Sequence, residues 1–180
     1  MLLYTYVLFL ITLILGIFAV FFTVQFYNII FHGFAPLVST GKNVMDRILD
    51  NLTIKDGAKV YELGCGKATF LRSAEKKFPK AEYFGVEYSF LPFVVTETQL
   101  ALTDSKIKVE KENIFKTDLE EADIIYCYLN IKTMAELEKK FSAECKPGTQ
   151  IISYRFHLPN KKEDKVLEID KNSKVYFYTL

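Results

Sequence analysis

The chain has 180 residues and a formal net charge of +1, from 23 basic and 22 acidic side chains. This balance excludes the strongly basic classes of nucleic-acid-binding proteins, so we predict no nucleic-acid partner. The length allows one compact domain in addition to a membrane segment.

An uncharged apolar segment, residues 2–31, lies at the start of the chain. About 20 apolar residues of helix cross a bilayer core about 30 Å thick, so we predict a transmembrane anchor over residues 1–31. A cleaved signal peptide is an alternative, but its basic amino-terminal region and small-residue cleavage site are missing. A buried core helix is another alternative, but a small domain would then have to bury a helix that is apolar on all sides.

Basic side chains follow this segment, beginning with Lys42 and Arg47, and none precedes it. Positively charged flanks stay in the cytosol, so we predict a single-pass membrane protein whose carboxyl-terminal domain faces the cytosol. The three cysteines, Cys65, Cys127 and Cys145, are odd in number and lack metal-ligand spacing. We therefore predict reduced thiols and no metal site.

Residues 32–41 are predicted to form a linker, because Gly33, Pro36 and Gly41 break regular structure. Beyond it we predict one domain, residues 42–180, in which helical and strand periodicities alternate. Helices are predicted at residues 42–52, with Thr40 as the cap, and at 69–78, 92–102 and 133–141. Strands are predicted at residues 59–63, 83–87, 107–111, 122–129, 150–156, 165–169 and 174–180. This order indicates an α/β fold with a mostly parallel twisted sheet, helices on both faces and an antiparallel carboxyl-terminal hairpin.

A glycine turn flanked by acids follows the first predicted strand. Gly64 and Gly66 come two and four residues after Glu62, and Glu87 ends the second predicted strand. Ligands of parallel sheets bind beyond the carboxyl ends of the strands. Glycine lets the backbone approach a ligand closely there, and a carboxylate at the Glu87 position can accept both hydroxyls of a ribose. The pattern therefore predicts a nucleotide-like cofactor.

The acid before the glycine turn decides which cofactor this is. Nicotinamide cofactors use a similar layout, but their fingerprint has a third glycine where Thr69 stands and no acid before the first glycine. Glu62 instead suits a cofactor that carries an ammonium group and a sulfonium charge. We therefore predict that S-adenosylmethionine binds at this turn.

Several segments resemble those of known enzymes. Residues 62–66, 85–87 and 145–148 resemble successive motifs of class I S-adenosylmethionine-dependent methyltransferases. A finer similarity joins the chain to the membrane-anchored protein-lysine methyltransferases of the ATP synthase c-subunit and adenine nucleotide translocase type. It is carried by residues 35–40, 111–119, 128–129 and 153–159. The resemblance covers nearly the whole chain and implies a small Rossmann-like methyltransferase domain behind the anchor.

The resemblance also implies roles for single residues. Glu62 would orient the methionine ammonium group, the two glycines would pass beneath the cofactor, and Glu87 would hold the ribose. Asn113 stands where the family offers an acid to the adenine amine, with Glu112 as a possible substitute. Thr40 lies in the segment that the family closes as a lid, here with Ser39 and Gly41 in place of prolines. Further cofactor contacts are predicted at Cys65, Tyr88 and Ile114.

The acceptor side carries a weaker pattern. We predict Tyr128 and Asn130, at the end of the fourth strand, as candidate catalytic residues, and Tyr126 as a core residue. Phe34, Tyr128 and Phe156 are candidates for an apolar slot around a lysine stem. The motif with which many methyltransferases bind nucleobase amines, an Asn or Asp followed by two prolines and an aromatic residue, is absent from the sequence.

Three hypotheses about function follow. The first is a protein-lysine N-methyltransferase that acts on a protein in or at the membrane, where the anchor would raise the effective substrate concentration. The second is a methyltransferase for a lipid, a quinone or another small hydrophobic acceptor. The third is a non-catalytic membrane module with the same fold. The intact set of Glu62, the two glycines and Glu87 argues against this third hypothesis.

Overall fold

The computed structural model describes residues 2–32 and 40–180. The chain divides into two compact units, Met1–Pro36 and Leu37–Leu180. Most of the linker expected at residues 32–41 lies outside the described residues, and so do Phe34 and Ser39. The division agrees with an anchor separate from one folded domain, although the limits of each domain remain predictions.

The described residues of the first unit form one helix, α1 (Leu2–His32), of 31 residues. A 22-residue stretch of it, Leu3–Val24, is long and apolar enough to cross a membrane. All side chains of this stretch are exposed, unlike those of a core helix in a soluble domain. Two of its three threonine hydroxyls donate to carbonyl groups one turn earlier, Thr12 to Leu8 at 2.9 Å and Thr23 to Ala19 at 2.8 Å. These hydroxyls are therefore satisfied within the helix, as a lipid environment requires.

The second unit alternates strands and helices as predicted. Its helices are α2 (Lys42–Leu49), α3 (Thr69–Lys77), α4 (Phe90–Ala101) and α5 (Ile131–Glu144). Its strands are β1 (Lys59–Leu63), β2 (Glu82–Val86), β3 (Lys108–Glu110), β4 (Ile124–Cys127), β5 (Gln150–Tyr154), β6 (Lys165–Asp170) and β7 (Ser173–Thr179). The predicted elements are all present, with ends that differ by a few residues.

The seven strands form one sheet in the order β3-β2-β1-β4-β5-β7-β6. The pairs among β1 to β5 are parallel, and β7 runs antiparallel to both β5 and β6. The mostly parallel sheet and its antiparallel hairpin at one edge are therefore confirmed. Strand order reverses between β1 and β4, and parallel sheets bind their ligands at the carboxyl ends of strands beside such a reversal.

Two hydrophobic clusters pack on opposite faces of this sheet. The first joins buried strand residues such as Val60 and Tyr126 to side chains of α2, α3 and α4. The second joins Leu63 and Ile125 to the buried side of α5. Alternate residues of β1 and β4 thus point into different clusters, as expected for strands that are covered on both faces.

Helix α2 corrects one local prediction. Its N-cap is Gly41 rather than Thr40, and no side chain caps it. The Thr40 hydroxyl lies instead 3.2 Å from the hydroxyl of Tyr126. The far end of α2 is fixed by Arg47, whose guanidinium donates to the backbone carbonyls of Glu168 and Ile169 at 2.6 and 2.9 Å. The helix is therefore attached to the last hairpin.

Two other helices begin two residues earlier than predicted. In α4, Pro92 lies in the first turn rather than at the start, a position where proline is tolerated because its missing N–H would have no partner within the helix. In α5, the Asn130 side chain caps the helix by accepting from the Thr133 backbone N–H at 2.9 Å. The start of α4 is therefore compatible with the proline in its first turn, and the start of α5 is set by its cap. Hydrophobic periodicity predicts neither of them.

Candidate active site

The glycine turn after β1 is hydrogen-bonded to the neighbouring strand. The backbone N–H groups of Gly64 and Cys65 both donate to the Val86 carbonyl, at 2.8 and 2.9 Å. Gly64 and Gly66 have φ angles of +71° and +50°, in the region that other residues adopt at a cost. A Cβ on Gly64 would lie 2.8 Å from the Leu129 side chain. The glycines therefore allow a tight turn, against which the Leu129 side chain packs closely.

Glu87 lies directly after β2 and points back to this turn. Its Oε2 accepts from the Gly66 backbone N–H at 3.0 Å, and its Oε1 accepts from the Ser89 backbone N–H at 2.8 Å. The residue is buried. Each carboxylate oxygen has lone-pair sites beyond the one used here, so a fixed Glu87 can still accept hydrogen bonds from a ribose.

Glu62 is the second acid of the site, and it is buried in β1. Its Oε2 accepts from the backbone N–H of Leu71, in the first turn of α3, at 3.2 Å. Helix α3 has no cap from its own N-cap residue, Ala68, so Glu62 supplies an acceptor to its start. Burial raises the pKa of Glu62 to about 8, and the charge of Glu87 adds to the rise while the backbone hydrogen bonds oppose it. A cationic group beside Glu62 would favour its ionised form.

Tyr126 forms the wall next to Glu62. The two residues are register partners on β4 and β1, so their side chains point to the same face. The Tyr126 ring stacks on Phe70, with centroids 4.3 Å apart, and its hydroxyl meets Thr40. Tyr126 is buried, as predicted for a core residue. Its contact with Thr40 links the segment expected to act as a lid to the wall of the Glu62 site.

The loop after β3 holds the residues expected at the adenine. The Asn113 amide oxygen accepts from the Phe115 backbone N–H at 3.0 Å, which forms a turn within the loop. The Glu112 carboxylate accepts from the Thr117 hydroxyl at 2.9 Å. Ile114 is half-buried against the second cluster. Both polar side chains therefore already shape the loop, and an adenine contact remains a prediction for either.

The two remaining cofactor candidates differ in exposure. Tyr88 is exposed beside Glu87. Cys65 is buried, and a Cβ on Gly85 would lie 2.9 Å from its sulfur. Burial raises the pKa of the Cys65 thiol above its ordinary value, so the thiol stays protonated. Cys65 thus fills the space that Gly85 leaves on β2.

An aromatic and basic cluster lies at the carboxyl ends of β4 and β5. The Tyr128 and Tyr154 rings have centroids 4.7 Å apart. The Arg155 guanidinium carbon lies 5.8 Å from the centre of the Tyr128 ring and 5.7 Å from that of the Tyr154 ring. The pKa of Asp170, in the turn between β6 and β7, is lowered. The largest cause is a hydrogen bond from the Asn172 backbone N–H, and the positive charge of Arg155 is a smaller one.

Sequence reasoning did not identify Tyr154 and Arg155 as site residues. Arg155 has a φ angle of +71°, which is uncommon for a residue with a side chain and is found at functional sites. The expected slot pairs Tyr128 with Phe156, but Phe156 packs with the second cluster while Tyr128 packs with the first. Asn130 uses its amide oxygen to cap α5, and its catalytic role remains a prediction.

The two acids and the glycine turn fit the predicted cofactor. Both carboxylate oxygens of Glu87 are held by backbone N–H groups and keep lone-pair sites for further donors, and the buried Glu62 carboxyl group accepts from a backbone N–H rather than from a cation. The glycine turn between them has the left-handed backbone that residues with side chains adopt only at a cost. An adenosine joined to a charged methionine group matches both ends of this arrangement.

Comparison with known families decides the relationship. A model of the ANTKMT methyltransferase domain matches residues 62–165, which is more than half of the chain. The chain belongs to this family. It is therefore a methyltransferase that uses S-adenosylmethionine, as the glycine turn and its two acids predict.

Relatives and solved structures agree with this assignment. The chain is 26% identical over 150 residues to a protein-lysine N-methyltransferase of Saccharolobus islandicus (strain REY15A), a match that covers 81% of this chain and 93% of the relative. An RNA methyltransferase from Salinibacter ruber, solved with S-adenosyl-L-homocysteine, is similar in structure with a TM-score of 0.71 and 22% identity, over 79% of this chain and 93% of that one.

A third similarity is to a precorrin-6y C5,15-methyltransferase from Geobacter metallireducens GS-15. Its TM-score is 0.66 at 13% identity, over 81% of this chain and 91% of that one. The two solved structures carry names of enzymes with very different acceptors, an RNA and a precorrin. The shared fold therefore confirms the Rossmann-like class I architecture and leaves the choice of acceptor to the individual site.

Proposed function

We propose that the chain is a protein-lysine N-methyltransferase that acts on a protein in or at a membrane. The observation that carries the lysine assignment is the similarity to a protein-lysine N-methyltransferase over nearly the whole length of that relative. The membrane assignment is supported by α1, because 22 of its residues form an exposed apolar surface long enough to span a bilayer.

The residues around the glycine turn would bind the cofactor. Glu87 would accept from the ribose, Glu62 would face the methionine ammonium group, and the backbone at Gly64 and Gly66 would lie beneath the ligand. When bound, S-adenosylmethionine supplies a methyl group already activated by its sulfonium charge, so the protein contributes mainly alignment and exclusion of water.

The cluster at the ends of β4 and β5 would receive the acceptor lysine. Tyr128 and Tyr154 would flank the aliphatic stem of the lysine, and the Arg155 guanidinium already lies over both rings. Methyl transfer needs the neutral amine. The positive charge of Arg155 and the partly buried surroundings both lower the pKa of an approaching ammonium group, which favours loss of its proton.

The basic residues that follow α1 in the sequence, beginning with Lys42 and Arg47, support modification from the cytosolic face. Membrane residence itself is tested by washing membranes that contain the full chain with alkaline carbonate. The chain should remain in the pellet, whereas release into the supernatant would contradict a spanning helix.

Methyl transfer into a membrane fraction tests the acceptor. Full-length protein is incubated with the membrane fraction and S-adenosylmethionine labelled in its methyl group, and lipids are then extracted with organic solvent. We expect the label in protein, on lysine, and we expect its loss in the Glu87→Ala variant. Label in the extract would instead identify a lipid or quinone acceptor, and no label in either phase would favour a non-catalytic module.

A further inference from the structure

Helix α4 has an apolar surface on the side that faces away from the sheet. Its fully buried residues are Thr96 and Leu100, and they face the first cluster and the glycine turn. The opposite side is exposed, with Phe90 66% accessible to solvent. Surface helices of soluble domains usually direct polar residues outward, so this arrangement indicates that something apolar covers the outer side.

The exposed apolar residues of α4 form one continuous stripe, and two exposed polar side chains, Glu97 and Gln99, lie at its edges. Residues three and four positions apart are neighbours on a helix, and this spacing recurs from the first turn to the C-cap. The stripe consists of Phe90, Leu91, Val94, Val95, Thr98 and Leu102. None of these side chains is charged, and the helix of 12 residues extends about 18 Å.

The polar groups of the stripe suit a membrane interface. Thr98, its one hydroxyl, donates to the Val94 carbonyl at 2.8 Å and needs no water. At the edge of the stripe, the Lys111 ammonium group lies 5.6 Å from the centre of the Phe90 ring. Helices that lie flat in a bilayer interface combine an aromatic and aliphatic side with basic residues at its border.

We propose that this outer side of α4 lies in the headgroup region of the bilayer and forms a second membrane contact of the catalytic domain. The inference rests on the membrane residence proposed above for α1. Seven residues separate His32 from Thr40, and a chain of that length spans at most roughly 28 Å. A bilayer is therefore always within reach of the domain, whereas a second copy or another protein would have to be recruited.

The buried side of α4 gives this contact a consequence for the active site. The Thr96 hydroxyl donates to the Gly66 carbonyl, so the glycine turn is hydrogen-bonded to the same helix. The helix also begins three residues after Glu87. Membrane contact along α4 would therefore hold the carboxyl edge of the sheet next to the headgroups, where the flanks of membrane-spanning segments in other proteins lie.

Tryptophan fluorescence tests the contact directly, because the sequence contains no tryptophan. Full-length Val94→Trp protein is reconstituted into vesicles of phosphatidylcholine and phosphatidylglycerol whose acyl chains carry bromine near the headgroup. Val166→Trp is the matched control, because Val166 lies on the edge strand β6 and has the same exposure as Val94, 37%. Flotation with the vesicles shows for each sample that the chain is inserted.

We expect bromine to remove most of the Val94→Trp emission and to leave that of Val166→Trp nearly unchanged. If bromine quenches both variants equally, or quenches neither, the proposal is overturned even though the chain floats with the vesicles. That result would leave the proposed methylation of lysine unaffected. A blue-shifted Val94→Trp emission that bromine does not quench and that depends on protein density would assign the stripe to a second copy. Failure to float would instead contradict the anchor.

Discussion

Glu87 is the residue on which cofactor binding depends most directly. Replacing it with alanine removes a charged acceptor from the ribose and also leaves the Gly66 and Ser89 N–H groups without their partner. Hydrogen bonds to charged groups contribute about 1.5–3 kcal/mol, so we expect Glu87→Ala to weaken S-adenosylmethionine binding about tenfold or more. Isothermal titration calorimetry measures the affinity.

Glu110→Ala is the control for this measurement. Glu110 is also an acid at the end of a strand, β3, but it is exposed and its carboxylate is not part of the site described above. Its replacement should leave the affinity unchanged. Equal affinities of the Glu87→Ala variant and the unaltered chain would mean that Glu87 only organises the turn.

The buried carboxyl group of Glu62 predicts a pH dependence of stability. Its pKa is about 8 in the folded chain, against about 4.5 for an ordinary glutamate, so between these values the folded state binds more protons than the unfolded state. The free energy of unfolding of the ligand-free protein should therefore fall as pH rises through this window. Glu62→Gln, which cannot ionise, should show a flatter profile in thermal denaturation. Identical slopes for the two proteins would contradict a protonated Glu62.

Single residues differ in how far the sequence could reveal their roles. The set of Glu62, two glycines and Glu87 is readable because its members end adjacent strands at fixed spacing. Arg155 could not be found in this way, because its position depends on a left-handed backbone at the exit of β5 and on the adjacency of β4. The prediction of Thr40 as the cap of α2 was wrong, because its hydroxyl contacts Tyr126 instead. This contact could not be predicted, since Tyr126 is distant in sequence.

At the scale of elements, the turn between β1 and α3 limits which residues it can contain. Gly64→Ala would force a side chain into a left-handed backbone and bring its Cβ within 2.8 Å of Leu129. We expect a loss of about 1–2 kcal/mol of stability, measured by urea denaturation. Gly57→Ala is the control, because Gly57 has a similar φ angle, +75°, but open space around it. A loss as large at Gly57 would show that the left-handed backbone alone, rather than the contact with Leu129, explains the effect.

Helices and strands were predictable because each has its own periodicity, but their ends were not. Hydrophobic spacing locates α5 from Thr133 onward, yet the helix begins at Ile131 because Asn130 caps it. The predicted strand at residues 122–129 shortens to Ile124–Cys127, because pairing with β1 and β5 stops there. Apolar character alone gives no information about where a neighbouring strand ends.

At the scale of the whole molecule, the sequence predicted the class of sheet but not its strand order. The order depends on which strands pair at long range, and it brings β1 and β4 together so that the acids, the glycine turn and the tyrosine cluster share one edge. The outward apolar side of α4 was also missed. An apolar residue in a helical pattern is expected to face the core. Only the three-dimensional structure shows that these residues of α4 face outward.

The central claim, lysine methylation of a membrane protein, is tested most directly by mass spectrometry of membrane proteins from cells with and without the gene. We expect at least one membrane protein whose intact mass falls by whole methyl increments when the gene is deleted, with the missing groups mapped to a lysine at the cytosolic end of a membrane segment. Restoring the gene should restore the mass, and restoring the Glu87→Ala form should not. Unchanged lysine methylation across the membrane proteins, with methyl groups lost from lipids or quinones instead, would contradict it.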